Sequence, residues 1–323
     1  MTPPEGALSA RSPVEAARER FRADALEGLA GTPKTLAPKY FYDRAGSLLF
    51  DEICELPEYY VTRAETALMR AHVGAIVASW GPRVRVVEPG AGSGTKTRLV
   101  LEALGPARCI EYVPVDISRE HLGEAAAGLR RDMPWLRVTP LAADFSMDLP
   151  RASESDRAET VVYFPGSTIG NFEPAEAAQL LARFRRASSA VVIGVDLKKD
   201  PSVLHAAYND SRGVTAAFNR NVLRRMNREL GADFDVASFA HYAFYEPARG
   251  RIEMHLVSRA PQVVTVAGRP FRFAAGESIR TECSYKYDLP TVERLAHAAE
   301  LHPTNAWHDD ERRFAVVELR PLA

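Results

Sequence analysis

The residues best suited to chemistry begin at Val84. A β-branched run, Val84, Val86 and Val87, ends in Glu88 and opens on Gly90, Gly92 and Gly94 before helix-forming residues resume at Thr95. Glycines at this E-x-G-x-G-x-G spacing let the backbone bend tightly and approach a ligand with no Cβ in the way, and free N–H groups at the next helix start favour an electronegative partner. One helix later a second strand, CIEYVPVDIS, ends in Asp116. A carboxylate at that place can accept hydrogen bonds from both hydroxyls of a ribose. Ala143-Asp144-Phe145 sets a further acid beside an aromatic ring, a pair able to bond an adenine amino group and stack on its ring. Together these predict an adenosine-containing cofactor. Asn171, in the turn of TVVYFPGSTIGNF, puts a polar group where a transferable group would meet a substrate. In SIRTECSYK the strand alternation predicts Arg280, Glu282, Ser284 and Lys286 on one face, so Glu282 and Ser284 point the same way.

Several elements must position these groups. Val14, Ala17, Phe21, Ala25 and Leu29 recur at helical spacing, predicting an amphipathic helix that ends near Gly31. An aromatic stretch follows, with Tyr40, Phe41, Tyr42, Phe50, Tyr59 and Tyr60 around turn residues. Thr62 and Glu65 read as a T-x-x-E capping box opening a helix to Trp80, with Ala64, Leu68, Ala71 and Ile76 near its buried face. After the glycine turn and Asp116, Ser118 is a candidate cap, Leu136 to Leu141 a third strand and Thr160 to Phe164 a fourth. A helix from Pro174 to Arg186 and the strand AVVIGVDL complete five alternating β and α elements, which predicts a parallel, doubly wound sheet. Asp200-Pro201 breaks the alternation. Residues from Ala206 to Leu230 read as mainly helical with Gly231 as C-cap, and from about His241 to Asp288 the period becomes twofold, as in RIEMHLVSR, where Ile252, Met254 and Leu256 share a face. This reads as a small α+β insertion over the carboxyl ends of the sheet. A Pro290-started helix and two strands, near Thr304 to Trp307 and Phe314 to Leu319, close the chain.

Composition narrows the class. The chain has 323 residues, 46% of them hydrophobic, enough to bury a sizeable core in one large or two modest domains. Forty-one basic against 42 acidic side chains leave a net charge of −1, which argues against a surface that coats nucleic acid. Cys54, Cys109 and Cys283 form no CxxC pair, and the histidines show no HxH or HExxH spacing, so no disulfide framework and no metal are expected. His241 and His255 read as ordinary residues, and the run from Asp309 to Arg313 as a solvated turn. No G-x-S-x-G elbow or P-loop lysine is present, so the chemistry should come from the cofactor. The start, MTPPEGALSARSP, carries no secretion signal, and no apolar run is long enough to span a bilayer; a cytoplasmic protein is expected.

The segments EPGAGSGTKTR, YVPVD, ADF, FPGSTIGNF, GVDLKKD, AAYND, GVTAAFNRNVLRRMNRELGADFD, RIEMHL and TECSYK, in this order, resemble the histidine Nα-methyltransferases of ergothioneine biosynthesis. The resemblance runs from about Pro38 to the C-terminus, and its GVTAAFNRNV and IEM blocks are specific to that group. It implies a doubly wound, Rossmann-like class I methyltransferase sheet with an α+β second domain. Residues 63–199 and 288–323 would bind S-adenosylmethionine, residues 14–62 and 200–287 would bind substrate, and residues 1–13 would be a loose tail. The implied cofactor contacts are Phe50, Gly90, Lys96, Asp116, Asp144 and Phe145. The implied substrate contacts are Tyr59, Asn171, Tyr208, Met254, Glu282 and Ser284, with Tyr42 near the reacting amine as the catalytic residue. Asn171 and Tyr208 would hold a carboxylate, while Glu282 and Ser284 bind an imidazole on which Met254 packs. Two departures touch these motifs: the loop reads GAGSGTKT where the family commonly has GSGTSEKT, and AYND stands where AYDD is usual.

The implied reaction is in-line attack of a neutral amine on a sulfonium methyl, giving S-adenosylhomocysteine and, after three rounds, hercynine. Catalysis would come from positioning and from excluding water, with Tyr42 or a water it holds accepting or relaying the proton. Partners would be L-histidine and its mono- and dimethyl forms, with no nucleic acid or membrane, and a monomer is expected. One alternative is an N-methyltransferase for another amino acid or an amine-containing natural product, against which Met254 and Glu282 speak. The other is a dinucleotide-dependent oxidoreductase, whose glycines normally fall as G-x-G-x-x-G, unlike Gly90, Gly92 and Gly94.

Overall fold

The computed structural model describes residues 13–92, 94–147, 149 and 158–322, so the tail expected at the N-terminus lies, but for Pro13, outside the described residues. The helices are α1 (Pro13–Ala30), α2 (Arg44–Cys54), α3 (Tyr60–Ala78), α4 (Thr95–Arg108), α5 (Arg119–Asp132), α6 (Pro174–Ala187), α7 (Pro201–Tyr208), α8 (Val214–Leu230) and α9 (Leu289–Ala298). The strands are β1 (Lys34–Thr35), β2 (Val84–Pro89), β3 (Cys109–Asp116), β4 (Leu141–Ala142), β5 (Glu159–Phe164), β6 (Ala190–Asp196), β7 (Phe239–Glu246), β8 (Arg251–Ser258), β9 (Gln262–Val266), β10 (Arg269–Phe273), β11 (Ser278–Tyr285), β12 (Leu301–His308) and β13 (Phe314–Pro321).

The main sheet has the order β12-β13-β6-β5-β2-β3-β4. Strands β2 to β6 are parallel to one another, and VRVVEP and AVVIGVD are buried along their whole length, as strands covered on both faces must be. Adjacent side chains serve opposite cores: Val86 joins one apolar cluster with Val161 and Val192, and Val87 joins the other with Val162 and Val191. The expected doubly wound, Rossmann-like sheet is therefore present. It is not wholly parallel, however. The link 309–313 is too short for a crossover helix, so β12 and β13 form an antiparallel pair and β13 lies antiparallel to β6.

A second sheet, β1-β11-β8-β7, and the hairpin β9-β10 carry the twofold region. β1 comes from far upstream yet pairs in parallel with β11, and α8 packs on α2 and against β7 and β8. The first apolar cluster runs without a break from Val86 and Tyr163 of the main sheet to Phe239, Ile252 and Met254 of the second, which fixes the two sheets against each other. Among the described residues no helix is long and apolar enough to cross a membrane.

Four local expectations are corrected. The third strand is only Leu141–Ala142: residues 137–139 exchange backbone bonds with Tyr112, but Pro140 has no N–H to continue the ladder. Helix α3 already starts at Tyr60, so Thr62 and Glu65 form no capping box, and Ala71 is exposed. The helix expected over 206–230 is split, because the Asp210 carboxylate accepts the N–H groups of Val214 and Thr215, both at 2.8 Å, and starts α8 afresh. In α1 only Phe21, Ala25 and Leu29 are buried, while Val14 and Ala17 are exposed.

Glu65 makes one glycine of the sheet indispensable. A Cβ at Gly194 would stand 2.5 Å from Glu65 Oε1 and 2.9 Å from the Phe314 ring, so Gly194→Ala should destabilise the fold by about 1–3 kcal/mol through overpacking. Urea denaturation reads this directly, and an unchanged midpoint would show that Glu65 and Phe314 move aside at no cost.

Candidate active site

At the carboxyl end of β2 the chain turns through Gly90, Gly92 and Gly94, all with positive φ (68°, 50° and 68°). Gly90 N–H donates to Val115 O at 2.7 Å, which folds the turn over the end of β3. There the Asp116 carboxylate accepts from Gly92 N–H at 3.2 Å and Ser118 N–H at 2.8 Å. Burial raises the Asp116 carboxyl, and these donors and nearby His121 offset only part of that. The positive φ of Gly90 favours glycine there, and the Phe145 ring, 3.4 Å from where a Cβ would sit, lies close to the turn. Asp144 accepts from Ser146 N–H at 3.0 Å and Lys39 Nζ at 3.2 Å; burial would raise its carboxyl, but these bonds and the lysine charge hold it below the usual range. Gly90, Asp116, Asp144 and Phe145 are thus gathered at the ends of β2, β3 and β4, and the side-chain-free turn beside an acid fits a nucleoside.

Lys96, in the first turn of α4, reaches the other way. It donates to Glu65 Oε2 at 2.5 Å, and both Glu65 oxygens accept from Gly166 N–H at 3.0 Å. Glu65 is fully buried in mid-helix, so this carboxylate ties α3, the glycine-turn helix and the turn after β5 together. Beneath it Tyr112 donates to Glu88, whose carboxyl is pushed up to about 7 by burial against the opposing pull of Thr97, Tyr112 and Lys96.

Gly166 also borders a cavity between the two sheets that encloses about 590 Å³ including its open mouth. Tyr42, Tyr59, Asn171, Tyr208, Met254, Glu282 and Ser284 all line it. Phe50, expected among the cofactor contacts, stands here too, with its ring 5.7 Å from Tyr42, 6.3 Å from Tyr59 and 6.0 Å from Phe218. Asn171 arrives on the 3-10 turn Thr168–Asn171, which can press on β11 because a Cβ at Gly170 would stand 2.7 Å from Tyr285 O. β11 pairs Glu282 with Met254 and Ser284 with Ile252 across the sheet, so these four share a face. Arg280 does not share it. A bulge between Arg280 and Glu282 sets Arg280 opposite His255 and near Glu173, because the extra residue reverses the alternation.

The electrostatics of the cavity are uneven. Burial, with Glu282 and Asp116 nearby, drives the Tyr42 phenol well above its ordinary value, so at neutral pH Tyr42 keeps its proton and is not a phenolate. Burial pushes the Glu282 carboxyl up to about 7, against the pull of Lys286. The Tyr208 hydroxyl donates to Ser284 Oγ at 2.8 Å. Lys286 and Asp196, both buried, also line the cavity. No part in the site is legible in the sequence for Asp196, Lys286, Lys199, Tyr60 or Glu65. Asp196 sits at the strand end in GVDLKKD, the same signal that marked Asp116, and Lys286 was read on the Glu282 face. Glu65 left no signal beyond a misleading capping pattern. Among the described residues no group of His, Cys, Asp and Glu is arranged to hold a metal ion.

Comparison with known proteins agrees with this geometry. A family model described as histidine-specific methyltransferase, SAM-dependent, matches residues 21–321. The chain is 39% identical over 309 residues to the histidine N-alpha-methyltransferase of Mycolicibacterium smegmatis, covering 94% of this chain and 95% of that protein. It is 41% identical over 302 residues to the histidine N-alpha-methyltransferase of Mycobacterium tuberculosis, covering 92% and 93%. Ergothioneine biosynthesis protein 1 of Neurospora crassa is 29% identical over 295 residues, 85% of this chain and 32% of that protein.

The raised Glu88 carboxyl makes stability depend on pH. Folded Glu88 holds its proton up to about pH 7, whereas the unfolded chain loses it near 4.5, so its contribution is complete below pH 4.5 and is lost as pH rises towards 7. Glu88→Gln keeps an acceptor for Tyr112 without the charge. It should gain on the order of 3 kcal/mol relative to the parent between pH 4.5 and pH 8. Denaturant titrations across that range check this, and parallel pH dependences for the two proteins would refute it.

Proposed function

This chain belongs to the histidine-specific, S-adenosylmethionine-dependent methyltransferases, and from that premise we propose that it trimethylates the α-amine of L-histidine to hercynine in ergothioneine biosynthesis. The observation that carries the reading is that Tyr42, Tyr59, Asn171, Tyr208, Met254, Glu282 and Ser284 converge on one cavity, whose Gly166 is joined through Glu65 to Lys96 of the helix that follows the glycine turn. In the proposed arrangement Asp116 takes the ribose hydroxyls, Asp144 and Phe145 the adenine, and Gly90 and Lys96 the rest of the cofactor. Residues 63–199 and 288–323 form the cofactor half, and 14–62 with 200–287 the substrate half. Bound S-adenosylmethionine supplies an electrophilic methyl group. The protein's part is to hold the amine in its neutral form and in line, and to keep water away.

Asn171 and Tyr208 hold the carboxylate end; for Tyr208 this means giving up its bond to Ser284. Glu282 and Ser284 hold the ring, and Met254 packs on it. A substrate fixed at both ends can rotate only its α-nitrogen, so ring nitrogens stay out of reach and the mono- and dimethyl forms remain substrates. Tyr42 relays the proton that the nitrogen loses before each of the three transfers, because its phenol stays protonated. The proposal includes a monomer that acts in the cytoplasm, on small molecules and not on nucleic acid or membranes.

Two measurements test the reading. Proton NMR after exhaustive turnover of histidine should show a nine-proton trimethylammonium singlet, and a ring-methylated or singly methylated end product would refute the assignment. Asp116→Ala should weaken S-adenosylmethionine and S-adenosylhomocysteine together by roughly 1.5–3 kcal/mol in calorimetric titration. Unchanged affinity in a folded variant would remove Asp116 from the site.

A further inference from the structure

The polar wall of the cavity includes a buried ion pair that the proposed reaction does not use. Lys286 Nζ stands 2.9 Å from Asp196 Oδ2, and both side chains are almost wholly shielded from water. Asp196 is held in turn by Tyr60, whose hydroxyl donates at 2.8 Å, and by Lys199, and its N–H donates to Ser167 Oγ at 2.9 Å. The same Lys286 ammonium donates to Ser284 Oγ at 2.9 Å and to Tyr208 Oη at 3.1 Å. Three protons thus meet three acceptors. An ammonium has no lone pair, so neither hydroxyl proton can be drawn towards Lys286. One of those two protons joins Tyr208 to Ser284, and the other is left for the cavity. Without Lys286 both hydroxyls would be free to turn and share lone pairs and protons in several ways.

We propose that Lys286, anchored by Asp196, is a positioning residue for the substrate: by donating to the Tyr208 and Ser284 oxygens it keeps both hydroxyl protons turned away from itself, so that once Tyr208 turns to the carboxylate end Ser284 presents one fixed donor to the ring beside the acceptor Glu282. The proposal rests on the histidine reading of the cavity and deepens it. A wall with one fixed donor beside an ionised acceptor suits a ring that carries both an N–H and a lone-pair nitrogen, which is a neutral imidazole. The phenols of Tyr42, Tyr59 and Tyr208 also face Glu282, and Lys286 is the one cation among the described residues whose charge pulls its carboxyl down. Lys286 itself is held charged: burial works against the ammonium, but Asp196 outweighs it and raises Lys286 above the ordinary lysine value.

The test compares the full chain with Lys286→Met and Lys286→Gln. The first removes charge and donors, and the second keeps an N–H donor without the charge. S-adenosylhomocysteine affinity, read by calorimetry, should stay within about twofold of the parent. The KM for histidine should rise at least tenfold in Lys286→Met and less in Lys286→Gln, with kcat changing less than KM in both. Histidine binding needs ionised Glu282, so 1/KM falls as pH drops through the Glu282 titration, and in both variants that acid limb should move to higher pH by at least half a unit. Combining Lys286→Met with Ser284→Ala should cost much less than the two single effects multiplied, because one acts through the other. If the parent methylates histidine and the variants keep both its KM and its acid limb, this inference alone is overturned. If the parent neither binds nor methylates histidine, the functional reading falls and takes the inference with it. Loss of S-adenosylhomocysteine binding in both variants would make the pair a scaffold element and overturn the positioning role.

Discussion

A buried carboxylate must be met by hydrogen-bond donors, and the placement of Glu65 imposes that demand between the helix that follows the glycine turn and the turn after β5. Its donors come from two other elements, Lys96 of α4 and the Gly166 N–H after β5, and Gly194 of β6 makes the room. The glycine turn therefore cannot drift relative to the turn that carries Asn171 without uncovering a buried charge. Asp196 repeats the device one strand further along, with Lys199, Lys286 and Tyr60 as partners. Burying such pairs contributes little net stability, and breaking one is costly. Their effect is to give the carboxyl ends of β5 and β6 one arrangement.

The second sheet solves a different problem, which is to bring side chains distant in sequence onto one wall. Pairing of β11 with β8 sets Glu282 beside Met254 and Ser284 beside Ile252. A one-residue change in register moves every side chain to the other face, so the bulge before Glu282 decides what the cavity contains. Thr281, at the bulge, is fixed by donating to Asn219 Oδ1 at 2.6 Å and Met254 O at 3.1 Å. Asn219 lies on α8, so the helix packed behind the sheet also holds the irregularity that aims Glu282. Arg280, sent to the opposite face, lies near Glu173 in a polar group outside the cavity.

What was legible in the sequence follows from how local each signal is. The buried strands, the glycine turn and Asp116 announce themselves within a few residues, because a doubly covered strand and a left-handed turn restrict composition on the spot. Glu282 and Ser284 could be paired because strand alternation is also local, whereas Met254, on another strand, joined them only through the family resemblance. The bulge was not legible: nothing in SIRTECSYK marks an extra residue, and so Arg280 was assigned to the wrong face. Glu65 misled for the same reason. T-x-x-E is a true local pattern, but the chain was already helical from Tyr60, and the acid's partners lie on α4 and after β5. The break at Asp210 had a local cause, an acid ahead of Gly213, that the apolar stripe of α8 concealed.

The walls of the cavity divide by chemistry in a way that bears on repeated methylation. Tyr42, Phe50, Tyr59 and Phe218 meet largely edge to face or tilted, and their phenols remain uncharged at neutral pH. Asn171, Tyr208, Ser284 and Glu282 supply the hydrogen-bonding groups. On the proposed reaction the two ends of the substrate never change, while its nitrogen passes from an amine that donates hydrogen bonds to a quaternary ammonium that cannot. A wall of fixed hydrogen-bond acceptors around that nitrogen would favour the starting amine and oppose each later step. Ring faces attract a cation by their quadrupole whether or not it carries protons. An aromatic enclosure with polar contacts confined to the substrate's ends therefore treats the successive intermediates alike, and this is the condition for carrying one substrate through three transfers.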